Sequence, residues 1–202
     1  KNRHVYNWHW FWDTGNGDIG NQGIHEMDIA RWGMGVELPQ AAVSTGGKYI
    51  YDDDQETPNT QLATFDYGDK QIVFEVRGLI TNAEADFDVN SANYVGVLFY
   101  GENGFMRLDH GGFAIYLGEK REPGEKMAAG RGEAGQQRHF NNFIDAMRSR
   151  RVADLTGDVE EGAISSDLFH MANISYRLKR RLQFDPAKRT FMEMYKDQEK
   201  GQ

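Results

Sequence analysis

The sequence predicts an α+β fold, an open antiparallel β-sheet of about six strands with helices packed on one face. Three observations predict it: a short helical pattern near the start, strand-like alternation from residue 41 to about 117, and two amphipathic helical patterns after that. The chain has 202 residues, 39% hydrophobic and 27% charged, which is enough for one domain with its own core. We therefore expect residues 1–202 to form a single domain.

The opening segment is unusually aromatic. Residues 5–12 read V-Y-N-W-H-W-F-W, so Tyr6, Trp8, Trp10 and Trp12 recur at period two. In an extended segment all four would share one face. A flat aromatic face can stack on a sugar ring or pack against the sheet, and both interpretations stay open.

A glycine-rich turn over residues 14–20 leads into the first predicted helix. Gly33, Gly35 and Pro39 end this helix. Its two sides follow the helical spacing of three and four residues. One side carries Ile24, Met27, Arg31 and Met34, and the other carries His25, Asp28, Ile29 and Trp32.

Alternating apolar residues predict the strands of the sheet. Residues 63–67 and 72–76 form one pair, with Gly68 and Asp69 as the hairpin turn between them. Further strands are expected over residues 94–100, 105–108 and 113–117.

The last part of the chain begins with a charged, glycine-rich stretch, residues 118–135, which predicts a mobile loop. Two amphipathic helices follow. Their buried stripes are expected to be Phe140, Phe143, Ile144 and Met147 in the first, and Ile164, Leu168, Met171, Ile174 and Leu178 in the second. Asp158, with Glu161 three residues later, resembles a capping box. The tail after Pro186 is expected to fray.

Composition excludes several classes of function. With 31 acidic and 23 basic residues the formal net charge is −8, which disfavours a nucleic-acid partner. The absence of cysteine excludes disulfides, thiol nucleophiles and cysteine-bound zinc. No apolar run approaches the ~18 residues of a membrane span. Because Lys1 has no start methionine or export signal before it, we expect a piece of a longer protein, and the compartment of that protein, cytoplasmic or periplasmic, stays open.

His25 is the strongest candidate for chemistry. It lies in the first turn of the predicted helix, where the partial positive charge of the helix end favours neutral imidazole, the form that accepts a proton. The alternative is a buried histidine hydrogen-bonded across the turn. A zinc-protease helix is excluded because position 29 is Ile29 and not a second histidine. A metal site combining His25 and Asp28 with His4 or His9 is a weaker pattern, and no metal is expected.

Two separated segments resemble one known family. Residues 6–32, Y-N-W-H-W-F-W-D-T-G-N-G-D-I-G-N-Q-G-I-H-E-M-D-I-A-R-W, look like the start of the C-terminal domain of the glucose-fructose oxidoreductase / inositol dehydrogenase / MocA (Gfo/Idh/MocA) family, in its bacterial branch of predicted dehydrogenases. H-F-N-N-F-I-D-A-M-R-S-R-R, D-V-E-E-G, H-M-A-N-I-S-Y-R-L and F-D-P are similar to the closing helices of the same domain. Together these matches extend from Tyr6 to Pro186.

The resemblance implies a two-domain parent protein. Its N-terminal Rossmann domain would bind NAD or NADP and is absent from this chain. The present chain would be the C-terminal domain, of the dihydrodipicolinate-reductase-like type, whose sheet covers a small sugar or polyol and often builds a homo-oligomer. A dimer or tetramer formed through the sheet is therefore expected.

The resemblance also implies roles for individual residues. In the family a histidine in a G-x-H-x-x-D setting faces the nicotinamide, and Gly23, His25 and Asp28 match that setting. Many relatives have an aspartate where this chain has Asn21, and an asparagine binds a hydroxyl group but exchanges no proton. The implied substrate-binding residues are Asn21, Gln22, Asp18, Trp10 and Trp12. Cofactor-binding residues would lie mainly in the missing domain.

The implied function is oxidation of a sugar or polyol hydroxyl by an NAD(P)-dependent oxidoreductase, with His25 as the acid/base group. This domain alone would be catalytically incomplete. Two alternatives stay open: a non-catalytic carbohydrate-binding or assembly domain, and part of an NAD-dependent glycosidase.

Overall fold

The computed structural model describes residues 5–79, 95–129 and 133–192. The chain has the predicted α+β fold. Its helices are α1 (Gly17–Asn21), α2 (Gly23–Met34), α3 (Glu133–Ser149) and α4 (Val159–Leu178), with 3-10 helices at Val5–Trp10 and Val152–Asp154. Its strands are β1 (Ala41–Gly47), β2 (Thr60–Asp66), β3 (Gln71–Arg77), β4 (Gly96–Gly101), β5 (Gly104–Asp109), β6 (Gly112–Leu117), β7 (Glu122–Ala128), β8 (Leu182–Asp185) and β9 (Thr190–Phe191).

The described strands form two antiparallel sheets, where the sequence predicted one of about six strands. The first has the order β3-β2-β1-β8-β9 and the second the order β4-β5-β6-β7. The predicted hairpin turn is confirmed: β2 pairs with β3, and Gly68 between them has a φ of +94°. The predicted strand over residues 94–100 is confirmed from Gly96, while Tyr94 lies outside the described residues.

The core lies between the first sheet and helices α1, α2 and α4, all on one face of that sheet. Side chains alternate along a strand, so β2 turns Ala63 and Phe65 into the core and leaves Leu62 exposed on the other face. From the helices, Ile19, Met27 and Leu168 meet them, each almost completely buried. The prediction of helices on one face is therefore confirmed for this sheet.

The second sheet is only half-covered. Every residue of β4 to β7 is half-buried or exposed. One face meets α2 through Phe99. This ring packs so closely on Gly33 that a methyl group there would lie 2.6 Å from it. The other face carries a cross-strand row of Tyr100, Phe105 and Tyr116, with successive ring centroids 6.1 and 4.9 Å apart. Tyr100 is 77% exposed, so this row forms an aromatic surface.

The opening aromatic segment is not extended, and the prediction of one shared aromatic face is wrong. Val5–Trp10 is a 3-10 helix, in which residues three or four apart become neighbours. Tyr6 is therefore close to His9 and Trp10, with ring centroids 4.8 and 6.1 Å away. Tyr6 and Trp8 point to solvent, whereas His9 and Phe11 are buried.

The predicted loop over residues 118–135 contains strand β7 and the start of α3, so that prediction is wrong for the described part of the stretch. β7 is an edge strand and pairs with β6 through Tyr116 and Pro123. Proline, glycine and charged residues are tolerated at a sheet edge, where the outward N–H groups need no partner. Such a strand therefore has the composition of a loop.

The first closing helix lies where predicted, but its stripe is not buried. Phe140, Phe143, Ile144 and Met147 are all exposed, and the main packing partner of α3 among the described elements is the 3-10 helix Val152–Asp154. Periodicity shows that a helix has an apolar side but not whether the same domain covers it.

The second closing helix is buried over most of its stripe. Ile164, Leu168 and Met171 are in the core, whereas Ile174 and Leu178 near its end are exposed. The chain then continues into β8, which pairs with β1, and β9, so the prediction of fraying directly after Pro186 is wrong up to Met192. No helix among the described residues is long and apolar enough to cross a membrane.

The Asp158 half of the predicted capping box of α4 is confirmed, whereas the Glu161 carboxylate accepts from Arg31. Asp158 Oδ1 accepts from the backbone N–H groups of Glu160 and Glu161, at 2.6 and 3.3 Å.

We expect Asp158→Ala to lower the free energy of unfolding by about 1 kcal/mol, because two N–H groups lose their acceptor. Urea unfolding measures it. Asp145→Ala, which removes an exposed carboxylate and its ion pair with Arg148 on α3, should cost about 0.5 kcal/mol or less. Equal losses in the two variants would contradict the role of the cap.

Candidate active site

His25 lies exposed in the first turn of α2, and the residues around it explain why. Gly23, at the start of the helix, packs on the core: a methyl group there would lie 2.6 Å from Met27 Cε and 3.2 Å from Phe74 Cζ. With the Gly23 side of the turn held against β3, His25 two residues later is on the outer side. The alternative of a buried histidine is therefore wrong.

Two amide side chains flank His25 in sequence. Asn21 is exposed at the end of α1, and Gln22 is half-buried at the junction of α1 and α2. Gln22 Nε2 donates to Glu26 Oε2 at 2.9 Å, which fixes the side chain of Gln22 along the first turn of α2. His25 and the two amides thus form a polar corner, which can exchange a proton and hydrogen-bond hydroxyl groups.

Asp28 points away from His25 and toward α4. Its carboxylate accepts from the Ser165 hydroxyl and lies 3.6 Å from Arg31 Nη2. Arg31 is 4% exposed, and its Nε donates to Ser165 Oγ at 3.0 Å while its Nη2 donates to Glu161. Asp28 therefore helps to hold α2 against α4.

Trp10 and Asp18 are bonded to each other in a partly buried cluster beside the 3-10 helix. Trp10 Nε1 donates to Asp18 Oδ1 at 2.9 Å, and His9 Nε2 lies 4.0 Å from the same oxygen. His9 is buried, and its Nε2 has no hydrogen-bond partner among the described residues. Burial raises the pKa of Asp18, although the Trp10 hydrogen bond and the nearby His9 lower it.

The raised pKa of Asp18 predicts a pH-dependent stability. The folded chain retains this proton to a higher pH than the unfolded chain, whose carboxyl has the usual pKa of 3.8. The free energy of unfolding therefore falls as pH rises from about 4 through the folded-state pKa. Asp18→Asn removes this dependence, and the new amide oxygen can still accept from Trp10. Urea unfolding at several pH values should show wild type losing stability relative to Asp18→Asn above about pH 4.

Asp66→Asn provides a control of opposite sign. The Gly68 backbone N–H and the Arg181 guanidinium lower the pKa of Asp66. Wild type should therefore gain stability relative to Asp66→Asn as pH rises from the lowered folded-state pKa to about 4, and the difference should stay constant above that. Parallel pH profiles for the two variants would contradict both assignments.

Trp12 lies apart from both His25 and the Trp10–Asp18 cluster, at the C-terminal end of α4. Its ring stacks on Tyr176 with centroids 6.4 Å apart, and the Arg177 guanidinium lies 5.1 Å from the ring centre. Along α4, Tyr176 and Ser165 are about 16 Å apart at the usual helical rise. The structure therefore keeps Trp12 away from the Asp28 end of α2, and Asn21, Gln22 and His25 stay together.

A buried polar network that no sequence pattern indicated positions the glycine-rich turn. Asn173 on α4 donates to the Asn16 carbonyl at 2.9 Å and accepts from Gln61 at 3.2 Å, and Gln61 also donates to Ser44 at 3.0 Å. The Arg31 network was not predicted either. A signal for the Arg31 network was present in the sequence, because an arginine on an otherwise apolar helix side indicates a buried ion pair.

Among the described residues no cluster of three histidine or acidic side chains is arranged to hold a metal ion.

Comparison with solved structures places this geometry in a known fold. WlbA dehydrogenase from Bordetella pertussis, in complex with NADH and UDP-GlcNAcA, matches 88% of the chain with a TM-score of 0.61 and 19% identity. WlbA from Chromobacterium violaceum, with the same ligands, matches 89% with a TM-score of 0.60 and 17% identity. A protein from Desulfitobacterium hafniense described as an NADPH-dependent oxidoreductase matches 88% with a TM-score of 0.64 and 14% identity.

The chain shares the fold of these oxidoreductases. It covers 48%, 49% and 51% of their respective lengths, and so spans about half of each. No protein-family model matches the sequence, and no curated protein sequence is significantly similar to it. The shared fold agrees with the resemblance to the Gfo/Idh/MocA family that the two motif segments indicated.

Proposed function

We propose that this chain is the substrate-covering C-terminal domain of an NAD(P)-dependent oxidoreductase of the Gfo/Idh/MocA family that acts on a sugar or polyol hydroxyl. The observation that carries the proposal is the exposed imidazole of His25 in the first turn of α2, with Asn21 and Gln22 beside it. The WlbA dehydrogenases, which share the fold, have NADH and a sugar nucleotide in their complexes. This supports the cofactor and substrate classes.

The coenzyme would be held mainly by the other part of the parent protein. All strand pairs among the described residues are antiparallel, whereas a dinucleotide-binding βαβ unit needs parallel strands. The exposed face of α2 presents His25 outward, where a coenzyme bound by a second domain can approach it. When bound, a nicotinamide supplies the acceptor for the hydride that leaves the alcohol carbon.

His25 supplies the proton half of the reaction. Neutral imidazole takes the hydroxyl proton as the C–H hydride leaves and the C=O bond forms, and imidazolium returns the proton in the reverse direction. Asn21 and Gln22 orient the substrate, because their amide groups can donate to and accept from hydroxyl groups. Because Asn21 cannot exchange a proton, His25 is the acid/base group on this side of the substrate.

The test is turnover and product analysis with the full-length parent protein. We would offer a panel of sugars, inositols and aryl glycosides with NAD and with NADP. A keto-sugar with stoichiometric reduced coenzyme supports the dehydrogenase. Release of the aglycone indicates an NAD-dependent glycosidase instead. Sugar binding without either product indicates a binding or assembly domain.

We also propose that the parent protein is a homo-oligomer through the aromatic surface of the second sheet. Tyr100, Phe105 and Tyr116 form an aromatic row in which Tyr100 is 77% exposed and the other two are half-buried, and a second copy can bury it. Light scattering should give the mass of a dimer or tetramer, and Tyr100→Lys should lower that mass. Tyr6→Lys, at another exposed tyrosine, should leave it unchanged. A monomeric mass for wild type would contradict the proposal.

A further inference from the structure

The loop between β1 and β2 carries an exposed apolar tip, residues 49–51. Ile50 is 84% exposed, and Tyr49 and Tyr51 on either side of it are exposed as well. The Tyr51 N–H donates to the Tyr49 carbonyl at 2.8 Å, and Ile50 between them has a φ of +72°. A three-residue turn with a positive φ at its centre is rare and strained, and a branched side chain is unfavourable there. Strain of this kind is concentrated at functional sites.

The tip is fixed at its base. The buried side chain of Asn59 accepts from the Tyr49 N–H at 3.0 Å and donates to the Tyr49 carbonyl at 2.8 Å. The Asn59 N–H donates to the Gly47 carbonyl at 3.1 Å, which closes the loop. Lys48 Nζ lies 2.7 Å from Asp53 Oδ1 and joins the two sides of the tip. A tip that is preformed in this way loses little conformational entropy when it docks.

Three consecutive aspartates follow the tip, and all of them are exposed: Asp52, Asp53 and Asp54. Asp53 is paired with Lys48. The Asp52 carboxylate makes no hydrogen bond or ion pair with another residue in the described ranges. The tip thus combines an apolar side chain, Ile50, with an unpaired negative charge two residues later. A surface complementary to it would offer an apolar recess beside a positive charge.

The same chain has such a surface between α3 and the 3-10 helix Val152–Asp154. This α3 recess is lined mainly by four apolar side chains and two arginines: Phe143, Met147, Val152, Leu155, Arg150 and Arg151. Phe143, Met147 and Val152 are exposed, as is most of α3. Because Ile50 is exposed too, the tip does not fill the α3 recess of its own copy.

The charge beside the α3 recess is positive, although the chain has a net charge of −8. Arg151 is paired with Asp154, whereas the Arg150 guanidinium makes no hydrogen bond or ion pair with the other residues that the structure describes. An unpaired arginine beside an apolar recess complements an unpaired aspartate beside an apolar tip. Every copy carries both surfaces, so the partner that this complementarity favours is another copy of the chain.

We propose that Ile50 of one copy inserts into the α3 recess of a second copy, with Asp52 facing Arg150. This contact is separate from the aromatic row of the second sheet and does not depend on the proposed function. A single loop buries less surface than the roughly 1,200–2,000 Å² of a stable interface. The contact is therefore weak by itself, and its test needs a method that captures transient pairs.

Photo-cross-linking of the full-length parent protein tests the contact. One preparation carries a benzophenone amino acid in place of Ile50 and is mixed with an isotope-labelled preparation before irradiation and mass spectrometry. Both carry Tyr100→Lys, so that the aromatic row does not hold copies together. We expect cross-links from position 50 to residues 143–155 of the labelled copy. Cross-links confined to the same copy, cross-links to the other half of the parent protein, or no cross-links would each overturn the proposal.

The same probe at Val73 is the matched control. Val73 is exposed on the outer face of the first sheet, away from the tip in sequence and on a different strand. It should give no cross-link to residues 143–155. Equal cross-linking of that segment from positions 50 and 73 would mean random collision and would also overturn the proposal.

Charge reversal tests the pairing of Asp52 with Arg150. Asp52→Arg in the probe-bearing chain, or Arg150→Asp in the labelled chain, should lower the cross-linking yield by about tenfold, because like charges then face each other. The two changes together should restore the yield to within about twofold of the starting value. Aspartate tolerates the φ of +59° at position 150, so an unchanged thermal midpoint is expected.

Asp69→Arg controls for the change in net charge. Asp69 is exposed in the turn between β2 and β3, and its reversal should change the yield by less than about twofold. No recovery in the combined pair, or an equal loss in Asp69→Arg, would overturn the proposal.

Discussion

On the proposed function, His25→Ala is expected to lower kcat of the full-length parent protein by ~10² to 10⁴, the usual contribution of a general acid or base. The free energy of unfolding should stay unchanged within about 0.5 kcal/mol, because His25 is exposed and its loss opens no cavity. Steady-state kinetics and urea unfolding of the same preparation separate the two effects. Coenzyme binding should also be unaffected, which can be checked by titration of the reduced coenzyme.

Two further variants sharpen this prediction. His25→Gln keeps hydrogen-bonding capacity but cannot exchange a proton, so it should be about as slow as His25→Ala. His110→Ala removes another exposed histidine, at the turn between β5 and β6, and should leave kcat within about twofold of wild type. Added imidazole should partly restore His25→Ala. Turnover equal to wild type in His25→Ala would leave this domain as a pocket wall and oligomer surface.

Arg31→Ala is expected to give the largest loss of stability among polar substitutions considered, about 3 kcal/mol. Arg31 joins α2 to α4 through Ser165 and Glu161 and donates to the Val36 carbonyl, and it is nearly fully buried. Breaking a buried ion pair typically costs 3–5 kcal/mol when a buried charge is left behind. Here the carboxylates of Glu161 and Asp28 are 56% and 51% exposed and can be hydrated, so the expected cost comes mainly from the buried Ser165 hydroxyl and the Val36 carbonyl that lose their donor, ~1–3 kcal/mol for each unsatisfied group.

An exposed arginine with better geometry is the matched control. Arg151 makes a bidentate pair with Asp154, at 3.0 and 2.9 Å, but its side chain is 73% exposed. Arg151→Ala should therefore cost about 0.2–1 kcal/mol. The urea midpoints, at constant m-value, give both numbers. If Arg151→Ala destabilises the chain as much as Arg31→Ala does, burial is not what makes the Arg31 network important.

The parts of the fold that the sequence predicted are those where local pattern and tertiary burial agree. The apolar side of α2, the β2–β3 hairpin and the N-cap of α4 depend on spacing and turn chemistry within about ten residues. Strand β7 could not be recognised, because an edge strand tolerates Pro123 and Gly124. The 3-10 helix at the start of the chain was missed because aromatic residues at every second position are also the pattern of an extended strand.

The candidate site was predictable in part for the same reason. The glycine-rich turn and helix start placed His25, Asn21 and Gln22 together, since they are adjacent in sequence. The partner of Asp28 was not predictable, because Ser165 is 137 residues away and only the packing of α4 on α2 brings it near. Likewise, the separation of Trp10 from Trp12 depends on their contacts with Asp18 and Tyr176.

The contact between Gly33 and Phe99 couples the position of α2 to that of the second sheet. His25 lies near one end of this helix, and the Phe99 side chain of the second sheet packs on the backbone near the other end. A displacement of β4 that moves the Phe99 ring would therefore also affect the backbone of α2 at Gly33. Any residue larger than glycine at position 33 would meet the tip of the Phe99 ring, which would have to move away. The packing of the second sheet and the position of the helix that carries His25 therefore constrain each other.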